Sequence, residues 1–121
     1  MIYSGSYLNV LDNSGASKVK CIHVYKKKYA SIGDLILVVI KETKDSKKVN
    51  KSQMFCAVVA QTKFGLRRTF GHRFCYKDNF VILLKNKDSL APVGTRIKGI
   101  LPLDLKRKGH ARLIALAWAS I

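Results

Sequence analysis

Short apolar runs recur along the chain, each bounded by charged or turn-forming residues. Tyr7 to Leu11 is the first, and Asp12-Asn13-Ser14-Gly15 follows it. That tetrapeptide predicts a turn, because Asx side chains bond their own backbone and glycine accepts positive φ. Lys18 to Tyr25 reads as the second strand, then a basic loop at Lys26-Lys27-Lys28 runs to a Gly33-Asp34 turn. Leu35 to Ile40 is a continuous β-branched and leucine run, which suits a strand buried on both sides in a closed barrel. Residues 41–53 are polar and lysine-rich. Phe55 to Ala60 and Phe80 to Leu84 predict two more buried strands. Between them, "KFGLRRTFGHR" at 63–73 predicts a basic hairpin-like segment, and Lys85 to Leu90 reads as a polar loop. Short strands separated by turn signals predict an all-β barrel or sandwich. Beyond Pro92 the character changes. Gly94 to Ile97 is extended, and Pro102 opens one helical turn through Lys106, since the missing N–H is not needed there. Arg112 to Trp118 fits a short helix or a strand equally well.

The 121 residues suit one domain, and 48% hydrophobic content supplies a core without a metal or disulfide staple. Charge changes the picture most. Twenty-three Lys and Arg stand against 7 Asp and Glu, a formal net charge of +16. Such a surface repels itself unless an anionic partner neutralises it. Nucleic acid is the leading candidate, ahead of an acidic membrane or an acidic protein. Leu35 to Ile40 is a run of six apolar residues and no run exceeds seven, far below membrane-spanning length, so no membrane is expected as a partner. "MIYSGSYLNV" has neither the pattern of a secretory signal nor that of an Arg-rich presequence, and the fold is expected to begin near Met1. Cys21, Cys56 and Cys75 lack framework spacing and read as reduced thiols.

The basic residues are clustered. Lys26 to Lys28, Lys47-Lys48 with Lys51, Lys63 with Arg67-Arg68 and Arg73, and Lys106 to Lys108 all lie between apolar strands. One such run is a solvated face; four with few acids between them point to a polyanion. Tyr25, Tyr29, Phe64, Phe70, Phe74 and Tyr76 are interleaved with this charge. Aromatic rings stack on unpaired bases, although strand alternation should turn about half of these inward. Phe64 and Phe70 are the candidates for external contact, and Tyr76 is expected inside.

Metal and enzyme chemistry are poorly supplied. Cys21 and His23 are two apart on a strand and should share a face, and His72 and Cys75 have H-x-x-C spacing. Together they are four ligands of the type zinc takes, but without the paired knuckles of structural sites. No metal and no cofactor are expected, and a core thiol is the expected role of Cys21. The acids Asp12, Asp34, Glu42, Asp45, Asp78, Asp88 and Asp104 are scattered as turn residues, caps and local charge partners. Gly65 to Gly71 lacks the Lys-Ser/Thr ending of a phosphate loop, and no catalytic residue is expected. The alternative to a fixed RNA-binding role is a free single-strand-binding barrel of the OB type.

"LNVLDNSGASKVKCI", "IGDLILVVIKE", "AVVAQTKFGLRR", "DNFVILL" and "VGTRIKG" occur in this order over Ile2 to about Ala117. In sequence and spacing they resemble the universal large-subunit ribosomal protein family fourteen. The resemblance implies a mainly β fold. A five-stranded β-barrel with a projecting β-ribbon would occupy about 1–100, and a short helical C-terminal part about 101–121. It implies a non-catalytic constituent of the large ribosomal subunit that binds large-subunit rRNA and forms part of the intersubunit face. The partners so implied are small-subunit rRNA at a bridge, neighbouring large-subunit proteins of families three and nineteen, and a ribosome silencing factor. Thr95 and Arg96 match the G-T-R segment of the intersubunit surface, with Lys98, Arg107 and Arg112 on the same face. Lys63, Arg67 and Arg68 match an rRNA-contacting T-K-x-G-[VL]-R-R segment, and Lys18 matches a basic position after D-N-S-G. Lys20, Lys26, Lys27, Lys28, Lys47, Lys48 and Arg73 complete the expected rRNA-binding set. Three departures add charge: the loop from Val24 to Gly33 is short and lysine-rich, Thr69 to Arg73 replaces a Pro-Asp-Gly turn, and Lys106 to Ala111 replaces an acid and a phenylalanine. A lysine-rich member without a presequence points to a mitochondrial ribosome, with a bacterial cytoplasm or a plastid as the alternatives.

Overall fold

The computed structural model describes residues 1–44 and 49–121. In chain order its elements are β1 (Tyr7–Val10), β2 (Ala16–Val24), β3 (Leu35–Thr43), β4 (Met54–Gln61), β5 (Leu66–Arg67), β6 (Arg73–Phe74), β7 (Phe80–Leu84), β8 (Ile97–Leu101), α1 (Asp104–Arg107), α2 (Ala111–Leu116) and β9 (Ala117–Ser120). The strands β1-β2-β3-β4-β7 form a closed five-stranded barrel, with β5 and β6 as a separate two-stranded ribbon. Four of the five barrel contacts are antiparallel; the closing pair, β1 with β7, is parallel.

Two apolar cores explain why the strands differ in pattern. Inside the barrel lie Leu8, Val19, Ile36, Val38, Ile40, Ala57, Val59, Val81 and Leu83. Outside it, Val58, Ala60, Ile82 and Leu84 pack with Ile97, Leu101, Leu105 and Leu113. Thus β7 and the stretch of β4 from Ala57 to Ala60 are covered on both faces, and their sequences are continuously apolar. The same reading fails for β3. Only Ile36, Val38 and Ile40 are fully buried there, and the intervening Leu35, Leu37 and Val39 are partly exposed. Of these three, Leu35 alone packs against the core that the C-terminal layer shares. The strand also continues through Lys41 to Thr43 into the stretch read as polar loop.

Two other expectations change. A β-bulge lies between Cys21, opposite Val38, and His23, opposite Leu37. The extra residue breaks the alternation, so Cys21 points into the core while His23 is exposed. They do not share a face. The C-terminal part is also not purely helical. The segment from Arg112 to Trp118 is both things at once: α2 ends at Leu116 and β9 begins at Ala117. β9 then pairs in parallel with β8, seating α1 and α2 over the second core. The turn at Pro102 is as read, since Leu105 N–H donates to the Pro102 carbonyl at 3.2 Å.

Candidate nucleic-acid interface

The turn after β1 does more than reverse the chain. The Asp12 carboxylate accepts from Ser14 N–H at 3.1 Å, from the Ser14 hydroxyl at 2.5 Å and from Leu83 N–H at 3.2 Å. The last bond falls where the β1 backbone no longer runs beside β7, so a side chain continues the ladder. Asn13 faces the other way. Its Oδ1 accepts from Thr95 N–H at 2.8 Å and Arg96 N–H at 3.0 Å, while its Nδ2 donates to Thr95 Oγ1 at 2.9 Å. Its own N–H donates to the Arg96 carbonyl at 3.1 Å. Gly94 makes this clamp fit, because a Cβ there would stand 2.6 Å from Asn13 Oδ1. The result is a fixed, exposed Thr95-Arg96 edge.

Beside that edge an open cleft of about 690 Å³ is lined by Asn13, Lys18, Glu42, Lys44, Phe80 and Lys98, among others. A smaller cleft of about 360 Å³ shares Lys18 and Glu42 and adds Tyr7 and Lys41. Lys18 pairs with Glu42 only at 4.0 Å, with both side chains more than half exposed. A pair this exposed is worth little and leaves the ammonium available to a phosphate. Lys20 lies over the Tyr7 ring, 5.7 Å from its centroid. The fold therefore joins Lys18, expected at rRNA, to Lys98, expected at the intersubunit face, on one concave surface. Lys44, which sequence reading passed over as a generic loop lysine, lines it too, and Lys41 lines the smaller cleft.

A second basic zone gathers at the β2–β3 connection. Lys26, Lys27 and Lys28 are exposed there. Nine residues of β2 separate Lys18's end of the strand from this loop, a span of about 25 Å at the usual rise per residue. Lys27 pairs with Asp34 at 3.1 Å, and Lys108 reaches the same carboxylate at 3.5 Å and the Ile32 carbonyl at 2.8 Å. Burial alone would raise the Asp34 carboxyl, but the Ser31 N–H and hydroxyl, the Lys27 ammonium and Lys108 outweigh it and hold it below the usual value. The 26–34 loop and the segment 106–110 are thereby tied together, and Lys106 and Arg107 are exposed beside them. Arg112 is exposed on α2.

The ribbon residues divide. Arg67 and Arg73 are exposed. Arg73 lies over Phe64 at 5.4 Å and donates to its carbonyl at 2.8 Å. Lys63 pairs with Asp78 at 3.4 Å on the surface. Arg68 is turned inward: its Nη2 lies 3.0 Å from Asp104 Oδ2, its Nε donates there at 3.1 Å, and its guanidinium covers Phe74 at 4.3 Å. It also donates to the backbone oxygen of Ile121. The geometry makes Arg68 a strut between ribbon and α1. Lys47 and Lys48 lie outside the described residues.

His110 is buried at the start of α2, with Nε2 3.1 Å from the Gly33 carbonyl and Nδ1 without a partner among the described residues. The carbonyl only accepts, so the proton sits on Nε2. Burial lowers the imidazole's pKa, the Gly33 bond works against that, and Lys108 lowers it further. Unfolded chains then bind a proton that the folded chain refuses. Stability should fall as pH drops below the ordinary histidine value of 6.5. A urea midpoint lower at pH 5 than at pH 7, with the difference reduced in His110→Gln, is the expected result.

The zinc alternative finds no site. Cys21 is buried while His23, His72 and Cys75 are exposed, and no cluster of three or more His, Cys, Asp or Glu occurs among the described residues. No helix among them is long and apolar enough to cross a membrane.

Residues 1–121 match the family described as Ribosomal protein L14p/L23e. The chain belongs to that family. Large ribosomal subunit protein uL14 of Carsonella ruddii (strain PV) is 42% identical over 120 residues, covering 97% of this chain and 97% of that protein. Membership in L14p/L23e makes this chain a structural, non-enzymatic protein of the large ribosomal subunit. The scattered carboxylates accord with that. Asp12, Asp34, Asp78 and Asp104 are all engaged in turns or ion pairs, so they serve the L14p/L23e barrel as fastenings.

Proposed function

We propose that this L14p/L23e chain binds large-subunit rRNA along the concave surface that joins Lys18, Lys44 and Lys98, and presents Thr95 and Arg96 to the small subunit. The observation that carries this is the Asn13 clamp, which fixes the Thr95-Arg96 backbone at the rim of a lysine-lined cleft. A rigid basic edge suits recognition of RNA backbone by shape, with phosphates setting position and no base sequence read. Lys20, Lys26 to Lys28, Lys63, Arg67 and Arg73 extend the rRNA contact. Lys47 and Lys48 are assigned to it on the resemblance alone. Arg68 contributes by holding the ribbon, not by touching phosphate. Lys98, Arg107 and Arg112 continue the intersubunit face, which would meet small-subunit rRNA at a bridge and, on a free subunit, receive a silencing factor. Proteins of families three and nineteen are the proposed large-subunit neighbours. The whole chain acts as one unit, because the C-terminal layer shares a core with the barrel. Lysine enrichment supports a mitochondrial ribosome, and the Carsonella relative supports a bacterial one.

Reversing Lys18 and Lys20 together to Glu tests the reading. Both side chains lie on the outer face of β2, so the fold should survive. Affinity for large-subunit rRNA should drop at least tenfold, with the slope of log affinity against log salt reduced by about two, roughly one per lost phosphate contact. Unchanged affinity and slope would remove this surface from the RNA contact.

A further inference from the structure

We propose that Phe70, at the tip of the ribbon, is a stacking platform for one unpaired RNA base; this rests on the rRNA-binding reading above. The tip is a defined turn. Arg68 N–H donates to the His72 carbonyl at 2.8 Å, Gly71 N–H donates to the Arg68 carbonyl at 3.1 Å, and Gly71 takes φ +83 to let the chain reverse. Phe70 precedes that glycine and is 90% exposed, more than any other large apolar side chain among the described residues. The neighbouring rings each carry an arginine over one face, Phe64 under Arg73 and Phe74 under Arg68, although Phe64 remains half exposed. Phe70 has no ring or cation contact of its own among the described residues. Phe70 is therefore the ribbon phenylalanine with both faces unpartnered among the described residues.

Charge decides the partner. No Asp or Glu occurs between Phe64 and Lys77, and Arg67, His72 and Arg73 are exposed on the same ribbon. An apolar protein pocket closing on Phe70 would have to strip water from these groups without replacing it. An RNA loop or bulge offers phosphate to the arginines and a π-face to the ring at once. Bases within an A-form helix are already stacked and cannot present a face, so the ligand is a bulged or looped nucleotide.

The test uses the full chain as wild type, Phe70→Ala, Phe70→Leu and Phe70→Trp. The probes are a perfect RNA duplex and the same duplex carrying one bulged 2-aminopurine. Wild type should bind both and change the 2-aminopurine fluorescence. Phe70→Ala and Phe70→Leu should lose about tenfold in affinity for the bulged RNA, the typical worth of one base–aromatic stack. They should also lose the fluorescence change while binding the duplex as before, and Phe70→Trp should retain both. Equal binding of Phe70→Ala and wild type to the bulged RNA overturns the proposal. So does full retention by Phe70→Leu, which would mark a merely apolar contact of the kind a protein pocket makes. Wild type binding neither probe overturns the RNA reading itself, a result distinct from failure of the stack. Unchanged thermal unfolding of the variants, expected for a side chain this exposed, shows that fold loss is not the cause.

Discussion

Affinity of the purified chain for large-subunit rRNA should fall by about 10³–10⁵ between 50 mM and 200 mM salt, the range for 6–10 phosphate contacts. The net charge of +16 is spread over surfaces that internal ion pairs neutralise poorly. Lys18, Lys27, Lys63, Arg68 and Lys108 find carboxylates among the described residues, and several of those pairs are exposed enough to exchange for phosphate. Lys26, Lys28, Lys44, Arg67, Arg96 and Lys98 have no ion pair among them. Each contact with phosphate releases condensed counterions, so salt competes directly with binding. A plot of log affinity against log salt that is nearly flat would mean that stacking or apolar contacts dominate and that the lysine-lined cleft is only a solvated face.

Replacing Asp12 with alanine should cost about 2–6 kcal/mol of folding stability, because a buried donor left unsatisfied costs about 1–3 kcal/mol and two backbone N–H groups, of Ser14 and Leu83, lose their acceptor together with the Ser14 hydroxyl. The Leu83 N–H sits in a fully buried stretch of β7 and depends on this carboxylate where the β1 backbone ends. Ser14, also buried, loses the same acceptor. Loss of the turn frees Asn13 as well, and with it the Thr95-Arg96 edge. Asp12→Asn keeps the shape and one acceptor oxygen, so it should be milder. Urea unfolding reads the difference as a midpoint lower by roughly 1–3 M in the alanine variant, given a mid-range slope of about 2 kcal/mol per M for small proteins. A change under about 0.5 kcal/mol would show that water replaces the carboxylate and that the turn is held by backbone geometry alone.

The barrel was legible because its buried strands announce themselves as apolar runs between turn signals, and Ala57 to Ala60 of β4 and all of β7 are apolar for the physical reason that both faces are covered. β3 looks the same in sequence, yet one of its faces is only partly covered, since no residue in a run can say what lies across from it. The bulge in β2 was illegible for a related reason: it is fixed by register against β3, and Cys21 and His23 keep the spacing of same-face residues. Arg112 to Trp118 left helix and strand open because the switch at Ala117 depends on β8 being there to pair with. Within the site, the clustered lysines and the G-T-R segment were visible as charge and motif. What the sequence could not show is that Asn13, more than eighty positions away, holds Thr95 and Arg96 through three side-chain hydrogen bonds. Its type and its place in a D-N-S-G turn suggested only a local bond to its own backbone. Arg68 sits in a basic string, and only the fold brings Asp104 and Phe74 to it.

Sedimentation of native extract through a gradient, after a moderate and then a high salt wash, tests the central claim most directly. A structural rRNA-binding constituent should travel with large subunits in equal stoichiometry after the moderate wash and be released only as salt rises. Recovery at the top of the gradient on heterogeneous single-stranded RNA, with none on large subunits, would contradict that role and leave a free single-strand-binding barrel in its place.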